Sequence, residues 1–169
     1  MCQAVMDAYP QEGCGLILGR RLMSATDRMT SASLEAADRE AIAVIPVANA
    51  WHPSVLDYTD PAITPATTVD HGLGDRYWID PATLLEVQRS ARQQDLDIIG
   101  IYHSHPDHPA VPSECDRRLA WPVYSYLIIA VSHGQVIDLN SWRLNDEGQF
   151  QLEPVKILGS SANNLPFLS

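Results

Sequence analysis

The segment that decides the fold is "DIIGIYHSHPDHPAVPSECD", residues 97–116. Its first half is a continuous apolar run of strand length that ends in two histidines one residue apart. Its second half is a proline-rich connection that leads into a serine and an aspartate. The apolar run predicts a buried strand, and Ser113 before "ECDRRL" predicts a short helix that ends before Pro122. The local order is therefore strand, loop, helix.

The residues before this segment predict further elements. "DPATLLEVQRSARQQDLD" is typical of an amphipathic helix with Asp80 as N-cap and Pro81 at the first helical position. Two apolar runs, residues 16–22 and 41–47, predict strands, and the residues before Pro10 allow about two helical turns.

The residues after it predict an antiparallel meander. "YSYLIIAVS", "QVIDLNSWRL" and "QFQLEPVKIL" are β-rich and are separated by turn sequences. With 169 residues the chain is expected to form one domain over residues 1–158. Residues 51–80, rich in proline, aspartate and threonine, are expected to be a long inserted loop, and residues 159–169 a flexible polar tail.

Charge and composition exclude several classes of function. The formal net charge is −10, from 11 basic and 21 acidic residues, which argues against nucleic acid and against an anionic membrane surface as partners. No apolar stretch approaches the length of a membrane span, and the start of the chain does not resemble a signal peptide. A cytoplasmic protein with a protein or small-molecule partner is expected, and its oligomeric state is left open.

His103 and His105 are candidate metal ligands. They stand at i and i+2 where the predicted strand ends, so an extended backbone places both side chains on the same face. The alternative is a pair of ordinary polar residues at a strand end. Two imidazoles directly after a buried run favour metal binding, because imidazole is a common zinc ligand.

Ser113 and Asp116 allow two interpretations. Ser-x-x-Asp before a helix approximates a capping box, in which each side chain bonds to the other residue's backbone N–H. An aspartate in the first turn of a helix can also reach over the preceding loop and meet the two imidazoles. Two histidines and one aspartate would leave a fourth position open, as catalytic zinc requires.

A hydrolytic zinc site also needs a group that accepts a proton from water, and carboxylates commonly do this. Glu12 is the candidate, in the turn "YPQEGCGLILG" between the first helix and the first strand. Nothing in its local sequence distinguishes it from a solvated loop acid, which is the alternative interpretation.

These five residues together carry a family resemblance. A glutamate before a glycine-rich strand, then His-Ser-His-Pro, then Ser-x-x-Asp, resembles the signature of the JAMM metalloproteases, the catalytically competent MPN or JAB domains. The segments "YPQEGCGLILG", "IGIYHSHPDHPAVPSECD" and "WPVYSYLIIAVS" are similar to the small stand-alone bacterial branch. The resemblance implies an α/β (α+β) fold with a curved, mostly antiparallel sheet flanked by helices, layered as in cytidine deaminases.

The resemblance also implies roles for the individual residues. His103, His105 and Asp116 become the ligands of one zinc ion per chain, and no other cofactor is implied. Glu12 becomes the general base and then the proton donor to the leaving amine, and Ser113 a donor to the developing oxyanion. The implied reaction is hydrolysis of a peptide or isopeptide bond at the C-terminus of a ubiquitin-like or sulfur-carrier protein ending in Gly-Gly. Family members usually carry a strand and a fuller helix before the glutamate, which this sequence does not supply.

Other functions fit the sequence less well. A non-catalytic MPN scaffold would typically lack the ligands that are present here. An amidohydrolase barrel needs roughly 250 residues, and a zinc nucleoside deaminase needs His-x-Glu and Pro-Cys-x-x-Cys. The remaining histidines are expected to be ordinary loop residues, namely His52, His71, His108 and His133. Cys14 and Cys115 each lie within two residues of a proposed catalytic or ligand residue, so a redox-sensitive thiol pair is a further hypothesis.

Overall fold

A computed structural model of the chain describes residues 1–22, 38–55 and 72–156. These residues form a six-stranded sheet with three helices. The helices are α1 (Cys2–Ala8), α2 (Pro81–Arg92) and α3 (Glu114–Leu119). The strands are β1 (Cys14–Leu22), β2 (Asp38–Val47), β3 (Asp97–Pro106), β4 (Ser125–Ser132), β5 (Gln135–Leu144) and β6 (Phe150–Glu153).

The strand order is β2-β1-β3-β4-β5-β6. Strands β3 and β4 are parallel, and all the other neighbouring pairs are antiparallel. The connection between the parallel strands contains α3, which places Asp116 near the end of β3. The expected mixed fold with a mostly antiparallel sheet is confirmed, as is the antiparallel meander of β4, β5 and β6.

Helix α2 covers one face of the sheet. Asp80 caps the helix, since its carboxylate accepts a hydrogen bond of 3.0 Å from the Thr83 N–H, and Pro81 follows as predicted. Leu84, Val87 and Ala91 pack on an apolar cluster. The cluster contains side chains from β1, β3 and β4, namely Leu16, Leu18, Ile98 and Tyr126.

Helix α1 covers part of the opposite face. Its only fully covered residue, Val5, packs with Ile17, Tyr102 and Ile129. A Cβ at Gly15 would collide with the Tyr102 ring and with a carbonyl oxygen of β2, so glycine lets these elements approach closely. The packing on both faces holds β1 and β3 side by side. The segment with Glu12 and the segment with His103 and His105 lie at the same end of this pair.

Several boundaries differ from the sequence-based expectations. The first two strands begin earlier, at Cys14 and Asp38, because the pairing of β1 with β2 extends beyond the N-terminal end of each apolar run. The expected loop at residues 51–80 is described only at its two ends, and residues 159–169 and His71 lie outside the described residues. Within the part that is described, no helix has the length and apolar character needed to span a membrane.

Candidate metal centre and active site

Strand β3 brings His103 and His105 to one buried site. The extended backbone places the two imidazoles on the same side of the strand. Ser104, which lies between them, donates its N–H to the carbonyl of Gly13, just before β1. His103 is fully buried and His105 is 9% exposed. The expectation that both leave the same face of the strand agrees with the Nε2–Nε2 distance of 3.0 Å.

Helix α3 supplies the carboxylate of Asp116 through the predicted capping box. The Ser113 hydroxyl accepts from the Asp116 N–H at 3.1 Å, and the Asp116 Oδ2 atom accepts from the Ser113 N–H at 2.7 Å. The same carboxylate lies 3.4 Å from His103 Nε2 and 3.6 Å from His105 Nε2. The cap therefore orients the carboxylate towards the imidazoles, and the two interpretations of Ser113 and Asp116 are compatible.

The donor set fits a divalent metal ion. Ligand atoms of His103, His105 and Asp116 all lie within 4.8 Å of one another. His105 Nδ1 lies 2.9 Å from the Pro109 carbonyl oxygen, so Nδ1 carries the proton and Nε2 keeps its lone pair in the neutral ring. A carboxylate and at least one imidazole lone pair thus converge on one buried point. A cation bound between them would interact favourably with both the negative charge of the carboxylate and the imidazole lone pair.

The charges of these groups suit metal binding. Burial opposes ionisation of Asp116, but the two histidines and the Ser113 side chain outweigh it and hold the pKa of the carboxyl well below its usual range. Burial lowers the pKa of His103, although Asp116 opposes this effect. The carboxylate is therefore ionised and the buried imidazole is favoured in its neutral form, which is the form that coordinates metals.

Glu12 is buried beside this group, so the interpretation as a solvated loop acid is wrong. The residue is 5% exposed. Its N–H donates to the Leu73 carbonyl at 2.7 Å, and its carbonyl accepts from the Asn49 amide at 3.0 Å. Burial first, and the charge of Asp116 second, raise the pKa of Glu12 to about 9, while Arg76 opposes the rise. A carboxylate kept out of water near a charged group is typical of functional sites.

Two further residues hold Glu12 in place, and neither was singled out from the sequence. Ser104, fully buried, bonds to Gly13 through both its hydroxyl and its N–H at 2.9 Å. Asn49 donates to the carbonyls of Glu12 and Arg76 and accepts from the N–H groups of two tryptophans, at 2.9–3.1 Å. The position of Ser104 between the two histidines was the available signal; Asn49 offered none beyond its place after β2.

An apolar cleft of about 170 Å³ opens beside the site. Glu12 and Asp116 form part of its wall together with Arg76 and Cys115. The remaining walls are mostly aromatic or aliphatic and include Trp78, Ile79, Leu84, Ile101, Leu119, Trp121, Tyr124 and Tyr126. The cleft therefore combines a polar end that carries the candidate chemistry with a longer apolar surface.

The other described histidines and the two cysteines singled out from the sequence are not members of the His103–His105–Asp116 group. His52, His108 and His133 are exposed, as expected for loop residues. Cys14 and Cys115 are free thiols. Burial raises the pKa of Cys14 to about 12 and also raises that of Cys115, whereas a reactive thiol needs a lowered pKa. These values disfavour the hypothesis of a redox-sensitive pair.

Two solved structures resemble this fold. A protein from Salinibacter ruber has a TM-score of 0.56 and 27% identity, with 91% of this chain and 83% of that chain covered. A protein from Desulfitobacterium hafniense has a TM-score of 0.61 and 27% identity, with 90% of this chain and 82% of that chain covered. Both are solution structures.

Curated relatives match shorter parts of the chain. A desampylase of Haloferax volcanii is 42% identical over 31% of this chain and 38% of its own length. A probable TtuB-protein conjugate cleaving protease of Thermus thermophilus is 33% identical over 68% of this chain and 53% of its length. A desampylase of Pyrococcus furiosus is 29% identical over 47% of this chain and 54% of its length. The matched parts thus span about half or less of these relatives.

A family model covers much more of the sequence. The model of the prokaryotic homologues of the JAB domain matches residues 1–145, a range that contains every candidate site residue. The match agrees with the mixed sheet described above and with the family resemblance of the sequence. The chain therefore belongs to the family of prokaryotic homologues of the JAB domain.

Proposed function

We propose that the protein is a zinc-dependent metallopeptidase that hydrolyses a peptide or isopeptide bond at the C-terminus of a ubiquitin-like or sulfur-carrier protein ending in Gly-Gly. The observation that carries the proposal is the buried group of His103, His105 and Asp116 with the buried Glu12 at the same cleft. Three protein ligands with one open position are typical of catalytic zinc.

The names of the relatives support the substrate class. Two are named desampylases and one a probable TtuB-protein conjugate cleaving protease. A shared JAB-type domain makes cleavage of a conjugate between a ubiquitin-like protein and its target the function that fits best. This chain would then act on a macromolecular substrate, with the tail of the ubiquitin-like protein entering the cleft.

His103, His105 and Asp116 would hold the zinc ion. Bound zinc supplies a Lewis acid that lowers the pKa of a coordinated water to about 7 and polarises a carbonyl. Glu12 accepts a proton at its carboxylate and then donates it to the leaving amine. In the metal-free protein the raised pKa of Glu12 favours its protonated form, which suits the second of these steps. The first step needs the ionised carboxylate, which a cation bound nearby would favour.

Ser113 can serve the cap and the reaction at the same time. Its oxygen accepts the Asp116 N–H, which leaves the hydroxyl hydrogen available for donation. In the proposed mechanism the Ser113 hydroxyl donates a hydrogen bond to the oxyanion that develops at the scissile carbonyl. Loss of one such donor typically lowers kcat about 10²–10³-fold.

The alternative of a non-catalytic scaffold explains the site less well. Burial of the Glu12 carboxyl beside the Asp116 carboxylate is unfavourable in the metal-free protein, since Glu12 loses contact with water and faces a like charge. A non-catalytic scaffold has no use for a buried carboxyl beside a buried carboxylate. A metal-dependent hydrolase needs one as the general base and the other as a metal ligand. The apolar cleft beside them provides a surface for the substrate tail.

The test of the proposal is cleavage of a conjugate by the purified protein before and after metal removal. We expect cleavage to stop after chelation and to return with zinc but not with magnesium, which prefers an octahedral set of oxygen ligands. Asp116→Ala should lose zinc and activity together. Asp138→Ala, at an exposed aspartate of β5, is the control and should keep both. Cleavage that persists in the metal-free protein would refute the proposal.

A further inference from the structure

We infer that Tyr77 is a positioning residue for His103: its ring stacks on the imidazole and keeps the imidazole in the orientation in which Nε2 faces the metal site. The inference rests on the metal centre of the proposed function. It assigns a role to residues 72–79, the C-terminal end of the expected long loop, which the resemblance left without one.

The two candidate histidines are held in different ways. His105 has the usual arrangement, because its Nδ1 atom bonds to the Pro109 carbonyl at 2.9 Å and leaves Nε2 for a metal ion. The Nδ1 atom of His103 is buried and has no hydrogen-bond partner in the described part of the chain. Among the described residues, the polar contacts of the His103 ring are made by Nε2, which lies 3.0 Å from His105 Nε2 and 3.4 Å from Asp116 and is the atom that a metal ion would take. Unlike His105, the His103 ring is therefore not held from its Nδ1 side by a hydrogen bond.

Tyr77 supplies the missing constraint. Its ring centroid lies 4.3 Å from that of His103, and the two planes differ by 20°, so the rings are stacked. The His103 and His105 rings are tilted by 54° at 4.9 Å, and they do not lie flat on each other. A rotation of the His103 ring about its bond to Cβ would drive its edge into the face of Tyr77.

The position of Tyr77 is itself fixed by the backbone on both sides of it. The Asn49 amide donates to the Arg76 carbonyl at 2.9 Å and accepts from the Trp78 N–H at 3.1 Å. The Trp78 carbonyl accepts from the Ala50 N–H at 2.9 Å. The backbone of Tyr77 is thus held by hydrogen bonds that do not involve His103. Tyr77 can therefore restrict the orientation of the His103 ring without depending on it.

The experiment measures zinc affinity by competition with a chromophoric chelator, in the full-length protein and without substrate. Tyr77→Phe keeps an aromatic ring that can stack, whereas Tyr77→Leu fills much of the space without one. We expect zinc binding in the leucine variant to be at least about 10-fold weaker, which is typical when a group that orients a metal ligand is lost. The phenylalanine variant should bind zinc as the unaltered protein does.

Two controls separate positioning from general damage. Trp78→Leu changes the next aromatic residue of the segment, which lines the cleft, and should leave zinc affinity unchanged. The thermal midpoint of each metal-free variant shows whether it folds. If Tyr77→Leu does not fold, Tyr77→Met gives the same comparison with a more adaptable side chain.

Equal zinc affinity in the leucine and unaltered proteins would overturn the inference, as would equal losses in the leucine and phenylalanine variants. A protein that binds zinc in the expected order of affinities but cleaves no conjugate would overturn the proposed function alone. A protein that binds no zinc would overturn both.

Discussion

Ser104 and Gly13 exchange two hydrogen bonds between β3 and the start of β1. The Gly13 N–H donates to the Ser104 hydroxyl oxygen, and the Ser104 N–H donates to the Gly13 carbonyl, both at 2.9 Å. Ser104 lies between the two candidate ligands of β3, and Gly13 directly follows Glu12. This pair of residues therefore joins the proposed base to the proposed metal site.

We expect Ser104→Ala to leave the buried Gly13 N–H without its partner. The loss should lower the free energy of unfolding by about 1–3 kcal/mol. It should also reduce kcat, because the backbone next to Glu12 would be joined to Ser104 of β3 by one hydrogen bond instead of two. Chemical denaturation and conjugate cleavage of the same preparation measure the two effects.

The control for this prediction is Ser125→Ala. Ser125 is also buried, and its hydroxyl accepts a hydrogen bond from Arg39 at 2.6 Å, away from the site. This control should lose stability without a change in kcat. If both serine variants kept the kcat of the unaltered protein, Ser104 would be only a structural residue.

Asn49→Ala should weaken the link between Glu12 and the segment that carries Tyr77, leaving the bond from the Glu12 N–H to the Leu73 carbonyl. The side chain makes four hydrogen bonds, two of them to the carbonyls of Glu12 and Arg76. We expect unfolding to become easier by about 1–3 kcal/mol and zinc affinity to fall. Asn145→Ala is matched to it, since the Asn145 side chain accepts from two backbone N–H groups in a distant turn. That variant should lose stability while its zinc affinity stays constant.

The sequence predicted the local parts of the site well. His103 and His105 are two residues apart on one strand, and Ser113 and Asp116 share one helical turn, so backbone periodicity alone sets their relations. The Asp80 cap was predictable for the same reason. Features of this kind depend on neighbours along the chain and need no knowledge of the tertiary fold.

The parts that depend on distant segments could not be predicted. Glu12 looks like a loop acid in sequence, and only its bonds to Leu73 and Asn49 show that it is enclosed. Tyr77 lies in a segment without periodicity, and its contact with His103 joins two separate elements. The role of such residues follows from packing between elements, which composition and spacing do not encode.

The raised pKa of Glu12 predicts how stability depends on pH in the metal-free protein. The folded state keeps the proton up to about pH 9, whereas a carboxyl in the unfolded chain releases it near its ordinary value of 4.5. The folded state thus binds more protons between these values, and stability should fall as pH rises through this window.

Glu12→Gln should remove this dependence. At pH 8 we expect the metal-free variant to be more stable than the unaltered protein, by roughly 1–3 kcal/mol, since folding no longer requires an ionised carboxyl to take up a proton or to be buried as a charge. Below pH 4.5 the difference should largely vanish. Urea unfolding across the pH range measures it, and Glu147→Gln, at an exposed residue, is the control. A difference that does not vary with pH would contradict the burial of an ionisable Glu12.

The apolar cleft should contribute to substrate binding. Leu84 lines it, whereas the neighbouring Leu85 is 45% exposed on α2 and does not. Leu84→Trp should fill part of the space and raise KM for a conjugate, with zinc content unchanged, and Leu85→Trp should leave KM unaltered. Equal kinetic constants in the two variants would show that the substrate tail does not use the cleft.

The measurement that tests the central claim most directly is conjugate cleavage by Glu12→Gln, with zinc quantified in the same sample. The amide can still form hydrogen bonds but cannot accept a proton, so zinc content and substrate binding should be retained. Turnover should fall about 10²–10⁴-fold, the usual contribution of a general base. A variant that holds as much zinc as the unaltered protein and cleaves the conjugate at the same rate would contradict the claim that Glu12 and the His103–His105–Asp116 centre act together.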